Sequence, residues 1–264
     1  FDVRHRKHFS LQIQITQFGE EQKVMLVKDI TERKRVETMR QNFIADVSHE
    51  LRTPLTVING YLEMLADMDL PPALTKAITQ MNGQGQRMKT LVNDLIQLSK
   101  LESANTDHPG DWFDLQQMAH SVVDQLQPLS NGRIQLRCNR RIEIRGLAEE
   151  MTSVLSNLLT NALKYGGDGP VEFTVRAGMD GVKVSVSDQG PGIPAQHISR
   201  LTERFYRVDD SRESKVGGSG LGLAIVKHAL EHHDTVLDIE STLGKGSSFS
   251  FTIPYDRCRV HEPD

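Results

Sequence analysis

The chain of 264 residues has the length of about two ordinary domains, and its 38% apolar and 25% charged residues are typical of a globular protein. Its 31 basic and 35 acidic side chains give a net charge of −4, so the composition offers no reason to expect direct nucleic-acid binding. The two cysteines, Cys138 and Cys258, have neither the number nor the spacing of a disulfide framework or a zinc site.

The N-terminal residues have the pattern of a β-hairpin. Apolar and polar side chains alternate from Phe9 to Ile15, and a second strand pattern runs from Lys23 to Ile30 after the turn formers Gly19 and Glu20. We interpret residues 1–30 as the end of a domain whose earlier part is missing. No run approaches the roughly 18 apolar residues of a spanning helix, so any membrane anchor is expected in a segment before Phe1.

Two long amphipathic helices are predicted next. Apolar residues recur every three or four positions from Thr31 to about Met68, and a similar stripe runs from Leu74 to near Glu102. The intervening residues 69–72 break the helix, which predicts an antiparallel hairpin spanning residues 31–103. A hairpin buries each stripe on one side only, so we expect a homodimer with a four-helix bundle; packing as a monomer against its own second domain is the alternative.

The heptapeptide from Ser48 to Pro54 carries chemistry on the first helix. His49 and Glu50 lie beside the apolar stripe, and Thr53 follows His49 by one helical turn on the same face. Such a pair can be a nucleophile with its base, although most helical His-Glu pairs are solvated surface. Pro54 is a natural point for the helix to bend.

A second domain is predicted at residues 112–256, between a turn-rich linker at 104–111 and a tail at 257–264. It alternates helices and strands, which indicates a two-layer α/β sandwich and makes the whole chain an α+β multidomain protein. The predicted helices are 114–126, 149–165 and 221–232, and the predicted strands are 134–137, 142–145, 171–177, 182–188, 236–241 and 248–253.

Several clusters in this domain suit a nucleotide. Asn157 and Asn161 share a helix face with Lys164, and paired amides can hold a hydrated divalent cation. Asp188 follows a strand and precedes Gly190 and Gly192, where a carboxylate can accept a hydrogen bond from adenine. The glycine-rich run 217–223 opens a helix and can bind phosphate, and the polar segment 208–215 is a candidate lid. Each cluster alone also has an ordinary structural explanation.

In order, these clusters, together with the tight glycine turn at residues 244–249 before the last strand, resemble the N, G1, F, G2 and G3 boxes of the GHKL ATP-binding fold, which histidine kinases share with gyrase and Hsp90. The segment from Phe43 to Pro54 resembles the H box of sensor histidine kinases, which gyrase and Hsp90 lack. Residues 29–33 are similar to the exit of a PAS sensory domain. Residues 201–209 and the pair 232–233 add a finer resemblance to the phosphate-regulon sensor kinases of Gram-negative bacteria.

The resemblance implies that ATP and Mg²⁺ bind the second domain and that His49 accepts the γ-phosphoryl group on Nε2. Glu50 would receive or orient the proton on the other ring nitrogen, and Thr53 would orient a water that dephosphorylates the receiver protein. Asn161 matches the Mg²⁺ ligand, and Asn157 supports the metal. The other positions implied to contact nucleotide or phosphate are Lys164, Tyr165, Asp188, Gly190, Gly192, Arg207, Gly218, Gly220, Leu221, Gly222 and Leu223.

The implied partners are a second copy of the chain and an aspartate on an OmpR-type response regulator, PhoB-like if the finer resemblance holds. The chain would then be the cytoplasmic portion of an inner-membrane protein. Two alternatives stay open: a pseudokinase that binds nucleotide only as a dimeric scaffold, and a free-standing GHKL ATPase. Another sensor kinase of the same type with a different regulator is the alternative pathway.

Overall fold

The computed structural model describes residues 10–18, 22–66, 68, 70–103, 110–138, 140–208 and 218–261. The description excludes the side chains of residues 37, 38, 40–46, 48, 49 and 103. Several sequence-based expectations therefore fall outside the described residues: the first strand's start at Phe9, the body of the linker 104–111, the end of the tail, and all but Val208 of the candidate lid.

The N-terminal hairpin forms as predicted. Strands β1 (Leu11–Phe18) and β2 (Gln22–Asp29) pair antiparallel, and every side chain on both strands is exposed. Thr31 joins the hairpin to the helix that follows, because its Oγ1 donates to Asp29 Oδ1 at 2.6 Å and accepts from the Ser10 amide at 2.9 Å. The hairpin is thus tied to the first turn of the helix.

Two long helices make the predicted antiparallel hairpin. Helix α1 (Thr31–Ala66) continues through Pro54, and α2 (Pro72–Ser103) begins on a proline, a residue that suits the first helical position. Leu55 on α1 packs with Val92 and Ile96 on α2 in a small core. Among the described residues, no helix is both long and apolar enough to cross a bilayer.

The second domain contains two sheets. The larger sheet has the order β4-β6-β7-β9-β8, in which only the β4–β6 pair is parallel. Its strands are β4 (Ile134–Cys138), β6 (Val171–Ala177), β7 (Gly181–Ser187), β8 (Asp238–Thr242) and β9 (Gly246–Pro254). A smaller sheet of order β10-β5-β3 is built from β3 (Asp111–Asp114), β5 (Ile142–Gly146) and β10 (Cys258–Val260).

Helices cover the larger sheet and complete the predicted two-layer sandwich. They are α3 (Leu115–Ser130), α4 (Ala148–Tyr165), the single turn α5 (Ala195–Ile198) and α6 (Gly222–Glu231). The buried faces of α3, α4 and α6 share one core with alternate residues of β6, β7 and β9. Asp114 caps α3 as predicted, since its Oδ1 accepts from the Gln117 amide at 3.0 Å.

The structure extends this domain beyond the predicted elements. Helix α3 continues to Ser130 instead of ending near Leu126, with Pro128 inside its last turn. Strands β3 and β10 had no sequence prediction, and they place Asp111 and residues 258–260 in the smaller sheet. Each of these strands is short and is held by its pairing with β5.

Candidate nucleotide site

Helix α4 carries one wall of the site because its two faces differ. One face is buried in the core through Met151, Val154, Leu155, Leu158, Leu159 and Ala162. The face that carries Asn157 and Asn161 is only partly buried, and Lys164 and Tyr165 in the last turn are exposed. Core packing therefore fixes the direction in which the polar side chains point.

The Asn157 side chain is oriented by the preceding helical turn. Its Nδ2 donates to the Ser153 carbonyl at 2.9 Å and to Ser153 Oγ at 3.2 Å. The amide oxygen consequently faces Gly222, where an added Cβ would lie 2.7 Å from Asn157 Oδ1 and 4.0 Å from Asn161 Nδ2. The two asparagines thus face the start of α6.

Asp188 is held at the end of β7 by two backbone amides. Its Oδ1 accepts from the Gly190 amide at 2.9 Å and the Ser247 amide at 3.2 Å. Since both bonds engage Oδ1, the Oδ2 atom is left to accept a hydrogen bond from a ligand amine. Gly190 permits this turn, because a Cβ there would lie 2.7 Å from the Tyr165 carbonyl oxygen.

The glycine-rich loop leads directly into α6. Gly220 has a φ of +71°, and its carbonyl accepts from the Phe205 amide at 2.9 Å, which ties the loop to the segment before the lid. Leu221 is fully buried and anchors the start of the helix, while Gly218 lies beside the Tyr165 hydroxyl. Free amides at a helix N-terminus attract anions, so this loop suits phosphate.

The remaining predicted residues fall around this centre or in the helical hairpin. Gly192 (φ +71°) follows the Asp188 turn, and Arg207 and Leu223 are half-buried. Gly217 lies outside the described residues. Backbone placement puts His49 within α1, and Glu50 and Thr53 are exposed on the same helix.

Helix α2 also reaches this site, which the sequence did not predict. The Ser219 hydroxyl donates to Asp94 Oδ2 at 2.6 Å, and Gln97 Nε2 donates to Ser153 Oγ at 2.6 Å. Near the end of α2, Glu102 forms an ion pair with Arg204. No local sequence signal marks these contacts, because each joins residues at least 56 positions apart.

A buried histidine fixes the start of α4. His233 Nδ1 lies 2.7 Å from the Ala229 carbonyl, and the Leu147 amide donates to its Nε2 at 3.1 Å. A carbonyl can only accept, so the proton is on Nδ1 and the ring is neutral. Burial lowers the pKa of His233 below its ordinary value of 6.5, against the opposing effects of the Ala229 carbonyl and Glu150.

The arrangement combines an acceptor for an amine, a helix N-terminus for an anion and amide oxygens for a hard cation. No group of three His, Cys, Asp or Glu side chains that could hold a metal occurs in the part of the chain described above. A cation here would therefore rely on Asn oxygens and on ligand oxygens, which suits Mg²⁺. Such a combination suits a nucleotide that carries phosphates.

Family comparisons agree with both halves of the molecule. Residues 146–257 match the model of histidine kinase-, DNA gyrase B- and HSP90-like ATPases, and residues 39–104 match the His Kinase A phospho-acceptor domain. The phospho-acceptor match separates this chain from gyrase and Hsp90. The chain belongs to the sensor histidine kinases. The family expected from the H box and the nucleotide boxes is confirmed, and so is the fold class.

Individual relatives refine this assignment. The kinase is 47% identical over 248 residues to the phosphate regulon sensor protein PhoR of Pseudomonas aeruginosa, and 42% identical to PhoR of Haemophilus influenzae. These alignments cover 91% and 92% of the kinase but only 56% and 58% of the relatives, so the chain spans little more than half their length.

A solved structure supports the fold. Full-length ShkA in complex with AMPPNP superposes with a TM-score of 0.65 at 27% identity, covering 81% of the kinase and 45% of ShkA. The two PhoR alignments confirm the finer sequence resemblance to phosphate-regulon sensor kinases.

The neutral His233 predicts a pH dependence of stability. Because its pKa is lowered on folding, the unfolded chain binds the extra proton first, and stability is lost as pH falls below about 6.5. His233→Gln should reduce the slope of unfolding free energy against pH by up to about 1.4 kcal/mol per pH unit. Urea unfolding between pH 7.5 and 5, followed by the fluorescence of Trp112, measures it.

The matched control is His120→Gln, which removes an exposed histidine from α3 and should keep the wild-type slope. A His233→Gln slope equal to that of the wild type would contradict the neutral, buried state.

Proposed function

We propose that this chain autophosphorylates on His49 with ATP and passes the phosphoryl group to an aspartate of a response regulator. The observation that carries the proposal is the position, along the axis of the helical hairpin, at which α2 contacts the nucleotide site. Arg52 on α1 donates to Asn93 on α2 at 3.2 Å, so these residues are level in the hairpin. Asn93 adjoins Asp94, whose carboxylate contacts the glycine loop.

His49 lies three residues before Arg52 on the same helix. At 1.5 Å per residue, this separation is about 4.5 Å along the axis. The nucleotide site therefore contacts the hairpin at nearly the same position along its axis as His49. The catalytic domain would reach His49 by rotating around the bundle axis, without a shift along that axis.

ATP is the nucleotide that the site suits best. The exocyclic amine of adenine would donate to Asp188 Oδ2, and the loop amides from Gly218 to Gly222 would bind phosphate oxygens. Lys164 and Arg207 would neutralise phosphate charge, while Gly192, which has no Cβ, lets the chain after the Asp188 turn pass close to the Thr242 carbonyl. The family match to ATPases and the AMPPNP complex of ShkA support this choice.

Mg²⁺ is the cation expected with this nucleotide. Asn161 would hold it and Asn157 would support its waters, consistent with the orientation that Ser153 imposes on the Asn157 amide. The ion supplies charge neutralisation at the phosphates. Phosphoryl transfer needs positioning and positive charge more than covalent assistance, which explains a site made of amides, glycines and cations.

At the acceptor, the neutral imidazole of His49 attacks the γ-phosphorus through Nε2. The bond from phosphorus to the β-γ bridging oxygen breaks, and ADP leaves with the bond's electrons. The proton on the other ring nitrogen passes to Glu50, whose exposed side chain adjoins His49 in sequence. The phosphoryl group then moves from nitrogen to a receiver carboxylate.

Dimerisation is proposed from the uncovered apolar faces of the hairpin. Many large apolar side chains on α1 and α2 are more than a third exposed in the single chain, which supports a partner covering them. They include Val47, Leu51, Val57, Ile58, Met64, Leu65, Leu74, Met81, Met88 and Leu91. A second copy closing a four-helix bundle is the arrangement we propose.

The pathway proposal follows the relatives. Their names assign them to the phosphate regulon, so we propose an OmpR-type, PhoB-like regulator as partner and phosphate starvation as the response. The chain would be the cytoplasmic portion of an inner-membrane protein.

Incubation with γ-labelled ATP and Mg²⁺ tests the central activity. The protein should acquire acid-labile, alkali-stable label, and His49→Gln should remove the label to background because the acceptor nitrogen is lost. His120→Gln, which removes an exposed histidine of α3, should keep full labelling.

The same assay separates the alternatives. A pseudokinase scaffold would bind nucleotide without labelling, and a free-standing ATPase would release phosphate without labelling. Either result under turnover conditions overturns the proposal.

Thr53 is proposed to orient the water that dephosphorylates the receiver. It lies one turn after His49 and is exposed on α1, where a docked receiver could contact it. Thr53→Ala should slow dephosphorylation of a phosphorylated PhoB-like receiver by about 100-fold, the cost of a misplaced reactant, and reduce autophosphorylation far less. Equal losses in both activities would contradict this role.

A further inference from the structure

The contact between Asp94 and Ser219 lies inside the proposed phosphate site. Ser219 stands between Gly218 and Gly220, and its hydroxyl donates to Asp94 Oδ2 at 2.6 Å. The same hydroxyl accepts from the Leu221 amide at 3.2 Å, at the residue that precedes α6. A carboxylate from the helical hairpin is therefore bound by the loop that suits phosphate.

The surroundings of Asp94 fit a group that stands in for an anion. The carboxylate is partly buried, and Lys164 of the proposed phosphate-binding set is close enough to act on it electrostatically. Burial is the largest effect and raises the pKa of Asp94, while Ser219 and then Lys164 oppose this rise. Ser219 and Lys164 therefore stabilise the charged form of Asp94, and a bound nucleotide phosphate would need the same two residues.

A second polar contact flanks the first. Gln97, one turn after Asp94, donates to Ser153 Oγ at 2.6 Å, and Ser153 is the residue that orients Asn157. Further along α2, Leu98 and Leu101 are buried in the core of the catalytic domain. Helix α2 therefore contacts both sides of the phosphate end while its last turns are anchored in the domain.

We propose that Asp94 is an autoinhibitory latch whose carboxylate occupies the anion-binding loop, so that nucleotide phosphate and docked α2 exclude each other. The inference rests on the proposed function, because it requires that phosphate bind this loop. Two anions cannot share Ser219 and Lys164 without strong repulsion. Phosphate binding breaks the Asp94 contact and frees the catalytic domain to move around the bundle toward His49.

Calorimetric titration of the full chain with ADP and Mg²⁺ tests the latch. Asp94→Asn keeps the size of the side chain and an oxygen for the Ser219 hydroxyl but removes the charge. It should bind ADP about fivefold more tightly than the wild type, the change expected when one like charge about 4 Å away in a water-like medium is removed. The gain should shrink in 1 M salt, where screening is strong.

Two matched variants interpret the result. Asp124→Asn removes an exposed carboxylate of α3 and should leave the affinity unchanged. Gln97→Met removes the neighbouring polar contact without changing charge, and its gain should be less than about twofold if charge competition dominates.

Wild-type affinity in Asp94→Asn overturns the latch while leaving the proposed function intact. An equal gain in Gln97→Met also overturns it, since loosening of the interface would then explain both. A wild-type chain that binds no ADP overturns the proposed function, and the latch with it.

Discussion

The C-terminal end of α2 belongs to two domains at once, and the geometry of the kinase depends on this shared segment. Leu98 and Leu101 are buried among residues of the catalytic core, while Leu55 and Ile96 join α2 to α1 slightly earlier in the helix. One continuous helix therefore fixes the distance along the bundle between His49, the proposed phosphoacceptor, and the candidate nucleotide site. Because a helix does not stretch, the catalytic domain can change its position mainly by rotation around that axis.

Within the catalytic domain, the packing of α4 fixes the positions of the polar side chains in the site. Its apolar face is packed against the sheet and its polar face lines the nucleotide site, so packing of residues such as Leu155 and Leu158 sets where Asn157 and Asn161 point. His233 fixes the beginning of this helix through the Leu147 amide. Ser153 links α4 to Gln97 on α2, so two successive hydrogen bonds connect the Asn157 amide to the helical hairpin.

The parts of the fold that could be predicted are those whose information is local. Residues three or four positions apart determine the apolar stripes of α1, α2 and α4 and the helix cap at Asp114. The structure contains all of these features. Strands β3 and β10 have three or four residues each and exist because β5 lies between them, which no local pattern reveals. Helix α3 was predicted to end near Leu126, yet it continues through Pro128 to Ser130, where Asn131 caps it in a left-handed conformation.

The residues of the site also divide into those that a local sequence pattern reveals and those that it does not. Asp188 and the glycines were recognisable from their place after a strand or before a helix, because loop chemistry is local. Ser153 stands four residues before Asn157, so its orienting role could have been read from helical spacing. Asp94 gave no such signal, since it lies 125 positions from Ser219 and sits in an otherwise ordinary heptad.

The most direct test of this account measures the distance between α2 and α6. Spin labels would replace exposed Lys89 and Lys227 in a background lacking Cys138 and Cys258, in dimers with one labelled chain. Without nucleotide, double electron-electron resonance should give one short distance, and saturating AMPPNP with Mg²⁺ should add a longer one as the Asp94 contact opens and the domain rotates around the end of α2. A distance distribution unchanged by bound nucleotide would contradict the account.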